Sequence, residues 1–304
     1  MTAAGECVVV PSPATAGLFP GQGSHSADMA DEVTRLAPEL LERCIELVGE
    51  DPFPRVAEST RFAQPAIFCA SLAGWRQHGA SVRPIALAGH SLGELSALVA
   101  AEALEPLAGL ELAVRRGELM HTASSDRADE GMLALLGAED ELAHRLAEQN
   151  DVVMANDNAP GQVVLAGALE RLRAASRQAR EEGTRAILLD VAGAFHSPSM
   201  AGAVEPFRGL LESVEFQEPA TTVISGSTAR PFSDPRTELA EAIVRPVRWR
   251  ETMLALSDAG AETFVDFGPG EVLARLVRRN LPDAAVLDLD ELSSIPPEEA
   301  SSGV

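Results

Sequence analysis

Hydrophobic positions along this chain fall into short unbroken runs separated by longer stretches with helical spacing. The runs at residues 17–19, 84–88, 222–225 and 263–267 read as strands. Helical patterns occupy residues 28–49, 63–79, 107–120 and 272–280, and further helices lead to about Val214 and follow Trp249. Strands alternating with helices predict an α/β protein. Residues 131–191 carry a pattern of their own. Strands at 132–136, 152–155, 162–166 and 185–190 and helices at 139–148 and 169–182 follow the order β-α-β-β-α-β, with residues 156–161 as the turn of the central hairpin. This is the order of a small ferredoxin-like domain, placed as an insertion between the two halves of a larger one.

The junction at residues 84–101 carries the most chemistry. An apolar run enters Gly89-His90-Ser91-Leu92-Gly93-Glu94, and the helix-forming Leu95-Ser96-Ala97-Leu98-Val99-Ala100-Ala101 follows. Strand, sharp turn and helix in this order form a nucleophile elbow. The turn strains the serine backbone, so the residues two before and two after it must be small, as Gly89 and Gly93 are. Ser91 then stands above a helix N-terminus, whose free N–H groups favour the negative oxygen of an acyl-transfer intermediate. The Gly21-Gln22-Gly23 loop is either an ordinary turn or a donor of a second N–H, which with that of Leu92 would form an oxyanion hole.

A serine hydroxyl needs a base within hydrogen-bond reach. His78, His121 and His144 lie in polar helical surroundings that read as solvated surface, and His90 is expected to point away from the nucleophile and pack. His196 ends a glycine-bearing loop before Pro198, a setting that suits a general base. No aspartate stands out as its orienting partner, although Asp190 and Asp266 lie near strand ends; a backbone carbonyl could serve instead, leaving a Ser–His dyad. Arg115 and Arg116 interrupt an apolar helix, where adjacent positions point about 100° apart, so at most one faces the core. A buried arginine needs an anion, and a substrate carboxylate matches its fork; plain solvation is the alternative.

Composition narrows the class. With 46% hydrophobic and 23% charged residues over 304 positions, the chain suits a globular enzyme with one sizeable core. No apolar run approaches the roughly 20 residues of a membrane span. Residues 1–16 lack the basic start and apolar middle of a signal peptide, so a cytoplasmic location is expected. Cys7, Cys44 and Cys69 lie far apart, a spacing that suggests neither a metal site nor disulfides. A net charge of −22 argues against nucleic acid or an anionic membrane as partner. Every cation is arginine, and Arg245, Arg248, Arg250, Arg275, Arg278 and Arg279 make the C-terminal half locally basic.

Taken in order, these features resemble the malonyl-CoA:acyl carrier protein transacylase family, including the acyltransferases that serve polyketide synthases. The likeness runs from about Gly17 to Leu281. It rests on Phe19-Pro20-Gly21-Gln22-Gly23-Ser24, Gln64-Pro65-Ala66, Gly89-His90-Ser91-Leu92-Gly93-Glu94, Arg116-Gly117 with Met120, Asn158-Ala159-Pro160-Gly161-Gln162-Val163-Val164, Phe195-His196-Ser197, Pro246-Val247-Arg248-Trp249 and Gly268-Pro269-Gly270. The resemblance implies an α/β-hydrolase-like large domain with an inserted ferredoxin-like small domain. The corresponding boundaries are a loose leader at 1–16, a discontinuous catalytic domain at 17–128 and 192–290, the insertion at 129–191 and a disordered tail at 291–304. Ser91 is implied as nucleophile and His196 as base, oriented by a backbone carbonyl near Arg245, with Gln22 and Leu92 supplying the oxyanion hole. Arg116 would pair with the malonate carboxylate, with Gln64, Phe195 and Asn158 around the substrate; Phe195 and Leu92 resemble the malonyl-selecting pattern. Three departures stand out: His25 where glutamine is common, Gly193 where histidine is frequent, and Arg245 where a small amide is frequent.

The implied reaction is ping-pong transfer of malonyl from CoA to the phosphopantetheine thiol of an acyl carrier protein. No metal and no bound cofactor are expected; the CoA thioester is a substrate, and the carrier brings the phosphopantetheine. The six arginines at 245–250 and 275–279 are candidates for docking an acidic carrier, and polyketide synthase modules served in trans are possible partners. Two alternatives use the same fold: a carrier-to-carrier acyltransferase for a non-malonyl group, and a hydrolase that strips stalled acyl chains.

Overall fold

The computed structural model describes residues 14–125, 127, 129–191 and 193–294. The chain opens with β1 (Thr15–Phe19), followed by α1 (Met29–Leu36), α2 (Pro38–Val48) and the long α3 (Thr60–Val82). Next come β2 (Ala86–Gly89), α4 (Gly93–Ala100) and α5 (Pro106–Ser125). A second group comprises β3 (Glu130–Leu136), α6 (Asp140–Gln149), β4 (Val153–Ala159), β5 (Gln162–Ala168), α7 (Leu169–Glu181) and β6 (Arg185–Leu188). The chain then returns through α8 (Ala201–Glu212), β7 (Thr222–Ile224), α9 (Pro235–Ala242), α10 (Trp249–Asp258), β8 (Thr263–Asp266), α11 (Val272–Asn280), β9 (Ala285–Leu287) and α12 (Leu289–Ser294).

Five strands form a parallel sheet in the order β7-β2-β1-β8-β9. Successive side chains of a strand point to opposite faces, so Leu18 and Ala88 join Trp249 and Phe264 on one side, while Phe19 and Leu87 join Phe68 and Phe267 on the other. Burial on both faces fits the apolar runs that enter the sheet at Leu18–Phe19 and Ala86–Ala88. The other four strands form an antiparallel sheet in the order β4-β5-β3-β6. Leu133, Leu135 and Leu165 pack under α6 and α7 with Leu146 and Leu172, whereas Met132, Val164 and Ala166 turn toward the large core. β4 is tied to the segment before α10 by Asp157 N–H donating to Val247 O and Val247 N–H donating to Ala155 O, both at 2.9 Å.

Several expectations shift. The helical stretch at 28–49 is two helices, because the chain leaves helical geometry at Ala37 (φ −148°, ψ 52°), the residue before a proline, and Pro38 opens α2. Residues 156–159, expected in a turn, belong to β4, and only Pro160 and Gly161 connect it to β5. Asparagine and aspartate favour turns locally, but pairing with β5 and Val247 overrides that preference. β1 begins two residues before Gly17, which places Thr15 and Ala16 in the sheet and not in a leader; residues 1–13 lie outside the described residues. Likewise α12 extends to Ser294 into the expected tail, whose residues 295–304 lie outside the described ones, as do Ala128 and Ala192 at the expected domain boundaries. Among the described residues, no helix is long and apolar enough to cross a membrane.

Candidate active site

β2 ends at Gly89 and α4 begins at Gly93, so Ser91 sits at the apex of the turn with φ +54°, a left-handed conformation uncommon outside glycine. The flanking glycines are required by contact: a Cβ on Gly89 would lie 2.0 Å from the Gly93 carbonyl carbon, and one on Gly93 would lie 1.9 Å from Phe19 O. The elbow is therefore pressed against the end of β1. The same closeness holds the glycine loop in place, since a Cβ on Gly21 would lie 2.6 Å from His90 O. Ser24 braces that loop by donating its hydroxyl to Gly21 O at 2.9 Å.

His196 arrives from the loop after β6, 105 positions further along the chain, with Nε2 2.8 Å from Ser91 Oγ. Its Nδ1 lies 2.9 Å from Ala242 O and 3.1 Å from Arg245 O. Carbonyl oxygens only accept, so Nδ1 carries the hydrogen and Nε2 offers a lone pair to the serine hydroxyl. Two carbonyls thus hold the imidazole where many serine enzymes use a carboxylate. Asp190 and Asp266 do not serve it: Asp190 lines the cavity wall, and Asp266 accepts the N–H groups of Gly268, Leu273 and Ala274. Burial raises the Asp266 carboxyl to about 7. Burial, and then the Arg116 cation, lower the imidazole of His196 to about 3, which keeps it neutral and basic in form at physiological pH.

Arg116 is the buried member of its pair, 3% exposed, while Arg115 points outward to Glu118. Its Nη1 donates to Gln64 Oε1 at 2.8 Å and its Nη2 to Ser91 Oγ at 3.2 Å. Gln64 is fixed in turn by donating to Thr60 Oγ1 at 2.7 Å. No carboxylate forms an ion pair with Arg116 among the described residues. Burial lowers its guanidinium to about 10, opposed by the nearby charge of Glu94, so it remains a cation.

These groups share one cavity of about 520 Å³, walled by Gln22, Leu92, Gln64, Arg116, Phe195 and Asn158 around Ser91 and His196. Met132 and Val164 of the antiparallel sheet close its far side, so the site lies between the two sheets. His90 packs, as expected, and does not bond to Ser91. It also borders the cavity, with Nε2 2.9 Å from Asn158 Oδ1 and its ring in a T-shaped contact with Trp249, and so it bridges the elbow to β4. Sequence reasoning missed Asn156, which lies beside it on β4 and lines the cavity with its Oδ1 unpaired. Its position in an Asn-Asp-Asn stretch concealed it as turn sequence.

The chain matches the family described as acyl transferase domain over residues 18–297. It belongs to the acyl transferase family. This acyl transferase is 34% identical over 287 residues to the polyketide biosynthesis malonyl CoA-acyl carrier protein transacylase PksC of Bacillus subtilis, with 89% of this chain and 98% of that protein covered. It is 36% identical over 284 residues to the polyketide biosynthesis protein ThaF of Burkholderia thailandensis, covering 88% of this chain and 24% of that longer protein. Among solved structures, the malonyl-CoA:acyl carrier protein transacylase of Xanthomonas oryzae superposes with a TM-score of 0.85 at 32% identity, over 91% of this chain and 95% of that one. A malonyl-transacylase solved in complex with its type II polyketide synthase acyl-carrier protein gives a TM-score of 0.82 at 29% identity, over 90% and 94% of the two chains.

The arginines singled out for carrier docking divide by their partners on the acyl transferase surface. Arg245 pairs with Glu241, Arg248 with Glu251, Arg275 with Glu271, and Arg278 more loosely with Glu291 at 4.0 Å. Arg250 is held between Asp140 and Asp157, each at 2.9 Å, with 27% of its side chain exposed. It clamps α10 to the antiparallel sheet and has no free charge to offer. Arg279 has no carboxylate partner among the described residues; it donates to Gln162, itself a residue of the cavity wall.

Proposed function

We propose that this acyl transferase moves a malonyl group from CoA to the phosphopantetheine thiol of an acyl carrier protein, by way of a malonyl ester on Ser91. The observation that carries the reading is the buried guanidinium of Arg116, 3.2 Å from the nucleophilic oxygen and without an ion-pair partner among the described residues. An acyl group bringing its own carboxylate would match that cation, whereas a plain acyl chain would leave it unpaired. The malonyl-CoA:acyl carrier protein transacylase activity named for the PksC and Xanthomonas relatives supports the same donor and acceptor. A carrier-to-carrier transferase of neutral chains, or an editing hydrolase, would give Arg116 no partner.

In the proposed cycle His196 Nε2 takes the proton of Ser91 as Oγ attacks the thioester carbonyl. The N–H groups of Gln22 and Leu92 receive the oxyanion. The proton then passes from His196 to the departing CoA thiolate, and Arg116 exchanges the serine oxygen for the malonyl carboxylate. A pantetheine thiol of the carrier enters the same cavity and gives its proton to His196 as its sulfur attacks the ester carbonyl; the bond from the acyl group to Ser91 Oγ breaks, and Oγ takes the proton back from His196. These steps need no bound cofactor. Phe195 and Asn158 border the acyl and pantetheine path, and Arg279, with Arg275 and Arg278 on the same helix, is offered as the surface for an acidic carrier.

We read the larger unit as α/β-hydrolase-like, supported by the elbow at the end of a central parallel strand, and residues 129–191 as a ferredoxin-like insertion, supported by the β4-β5-β3-β6 order with both helices on one face. A cytoplasmic enzyme serving polyketide synthase modules in trans fits its substrates and the PksC likeness. The test is transfer of labelled malonyl from CoA to a holo-carrier protein. Label on the carrier thiol supports the reading, and label released as free malonate in the presence of carrier opposes it.

A further inference from the structure

Glu94, three positions beyond the nucleophile in the first turn of α4, is a carboxylate only 2% exposed, and the cycle above gives it no task. Its Oε1 accepts the Ser225 hydroxyl at 3.0 Å and the Gly226 N–H at 2.8 Å. Both donors lie in the turn that follows β7. The Gly226 carbonyl accepts the Arg248 N–H at 2.7 Å, and a Cβ on Gly226 would lie 2.9 Å from Gly89 O. This turn is therefore wedged between the end of β2 and the segment that leads into α10. That segment carries Arg245, whose carbonyl lies 3.1 Å from His196 Nδ1. Two hydrogen bonds, from Gly226 to Glu94 and from Arg248 to Gly226, thus tie the helix behind the nucleophile to the backbone segment whose Arg245 carbonyl, with that of Ala242, aims the base.

A buried carboxylate costs stability unless its acceptors are used, and apolar side chains fill such space at lower cost. We propose that Glu94 is a positioning residue for the Ser91–His196 pair, its Oε1 fixing the turn at residues 225–226 and through it the Arg245 carbonyl. The proposal rests on Ser91 and His196 acting as nucleophile and base, and not on the identity of the acyl group. The role requires an acceptor oxygen and not a charge. Burial raises the Glu94 carboxyl to about 7, against the pull of its hydrogen bonds and the Arg116 cation and with a push from Glu238. A proton on Oε2 leaves Oε1 free to accept.

The test uses the full chain and a fluorophosphonate probe. Ser91 Oγ bonds to phosphorus, fluoride leaves, and the serine proton passes to His196, so labelling reports the pair without any particular acyl group. An error in the malonyl reading would appear with CoA esters and leave this readout intact. Wild-type labelling is expected to be flat from about pH 6 to 8, because the base is already neutral there. Glu94→Gln keeps the acceptor and should label within about threefold of wild type, whereas Glu94→Ala should fall about 30- to 100-fold, the scale of a misplaced catalytic group. The alanine variant should also gain a steady rise with pH, as hydroxide replaces a misaligned base. Lost stability alone would lower the labelled fraction without changing the shape of that profile. Ser225→Ala, which removes one donor, should slow labelling several-fold and serves if Glu94→Ala does not fold. A folded Glu94→Ala or Ser225→Ala protein with the wild-type rate and profile would overturn the proposal. So would a Glu94→Gln protein as slow as the alanine variant, since charge would then be the requirement.

Discussion

Arg116 and His196 share the Ser91 hydroxyl, with Arg116 Nη2 3.2 Å and His196 Nε2 2.8 Å from the same oxygen. The arrangement has two electrostatic consequences. A cation beside the oxygen favours its alkoxide character, and the same cation makes a proton on His196 less favourable. A substrate carboxylate drawn to Arg116 would offset the second effect, so an acid-bearing acyl group would raise the basicity of His196 as it binds, with the larger lowering by burial still in place. Substrate choice and base strength are thereby linked through one guanidinium.

Arg116→Ala is expected to lower kcat/KM for malonyl loading by about 100-fold or more, the scale of a lost buried charge-assisted pair. Loading from acetyl-CoA, which has no carboxylate to lose, should change by less than about tenfold. Parallel assays with the two thioesters measure this directly. Equal losses would remove the carboxylate-binding role.

The pH dependence follows from the sign of the His196 shift. Its imidazole is lowered from 6.5 to about 3, chiefly by burial and next by Arg116. A base with a lowered pKa stays unprotonated further into acid, so the acidic limb of Ser91 labelling should lie well below pH 6.5. Arg116→Ala removes the second cause and should move that limb upward. A wild-type limb at 6.5, or a downward movement in the variant, would contradict the assignment.

Asp266 offers a stability test with the opposite chemistry. Burial raises its carboxyl from 3.8 to about 7, so the folded protein binds its proton more tightly than the unfolded chain. Its contribution is fully present below 3.8 and is lost as pH rises through about 7. Asp266→Asn cannot lose a proton there. The Tm difference between variant and wild type should therefore shift in the variant's favour from pH 4 to pH 7.5, whatever its offset. A difference independent of pH would place the carboxyl at its ordinary value.

At the elbow, Gly93→Ala sets a Cβ 1.9 Å from Phe19 O and is expected to cost about 3 kcal/mol or more, since backbone must move. Gly23→Ala meets nothing within 4 Å but keeps a φ of +99°, so its cost should be about 1 kcal/mol of backbone strain. Denaturant unfolding of the two variants checks the order.

The site was legible in the sequence where its geometry is local. Gly89, Ser91 and Gly93 encode a turn within five residues, and the apolar runs encode strands of the sheet. Helical spacing showed that at most one of Arg115 and Arg116 faces the core, and left open whether either does. The Ala242 carbonyl that holds His196 could not be read, because a backbone carbonyl has no residue type to mark it. The second half of β4 was hidden because Asn156, Asp157 and Asn158 favour turns, and the pairing that makes them a strand comes partly from Val247, far along the chain. Arg250 read as free surface charge because Asp140 and Asp157 reach it only through the tertiary fold.

The most direct measurement is the intact mass of the protein after brief exposure to malonyl-CoA, methylmalonyl-CoA and acetyl-CoA. The expected result is a gain of one malonyl group, largest with malonyl-CoA, absent in Ser91→Ala and discharged when a holo-carrier protein is added. A mass gain that persists in Ser91→Ala, or acylation by acetyl-CoA in preference to malonyl-CoA, would contradict a malonyl transferase built on Ser91 and Arg116.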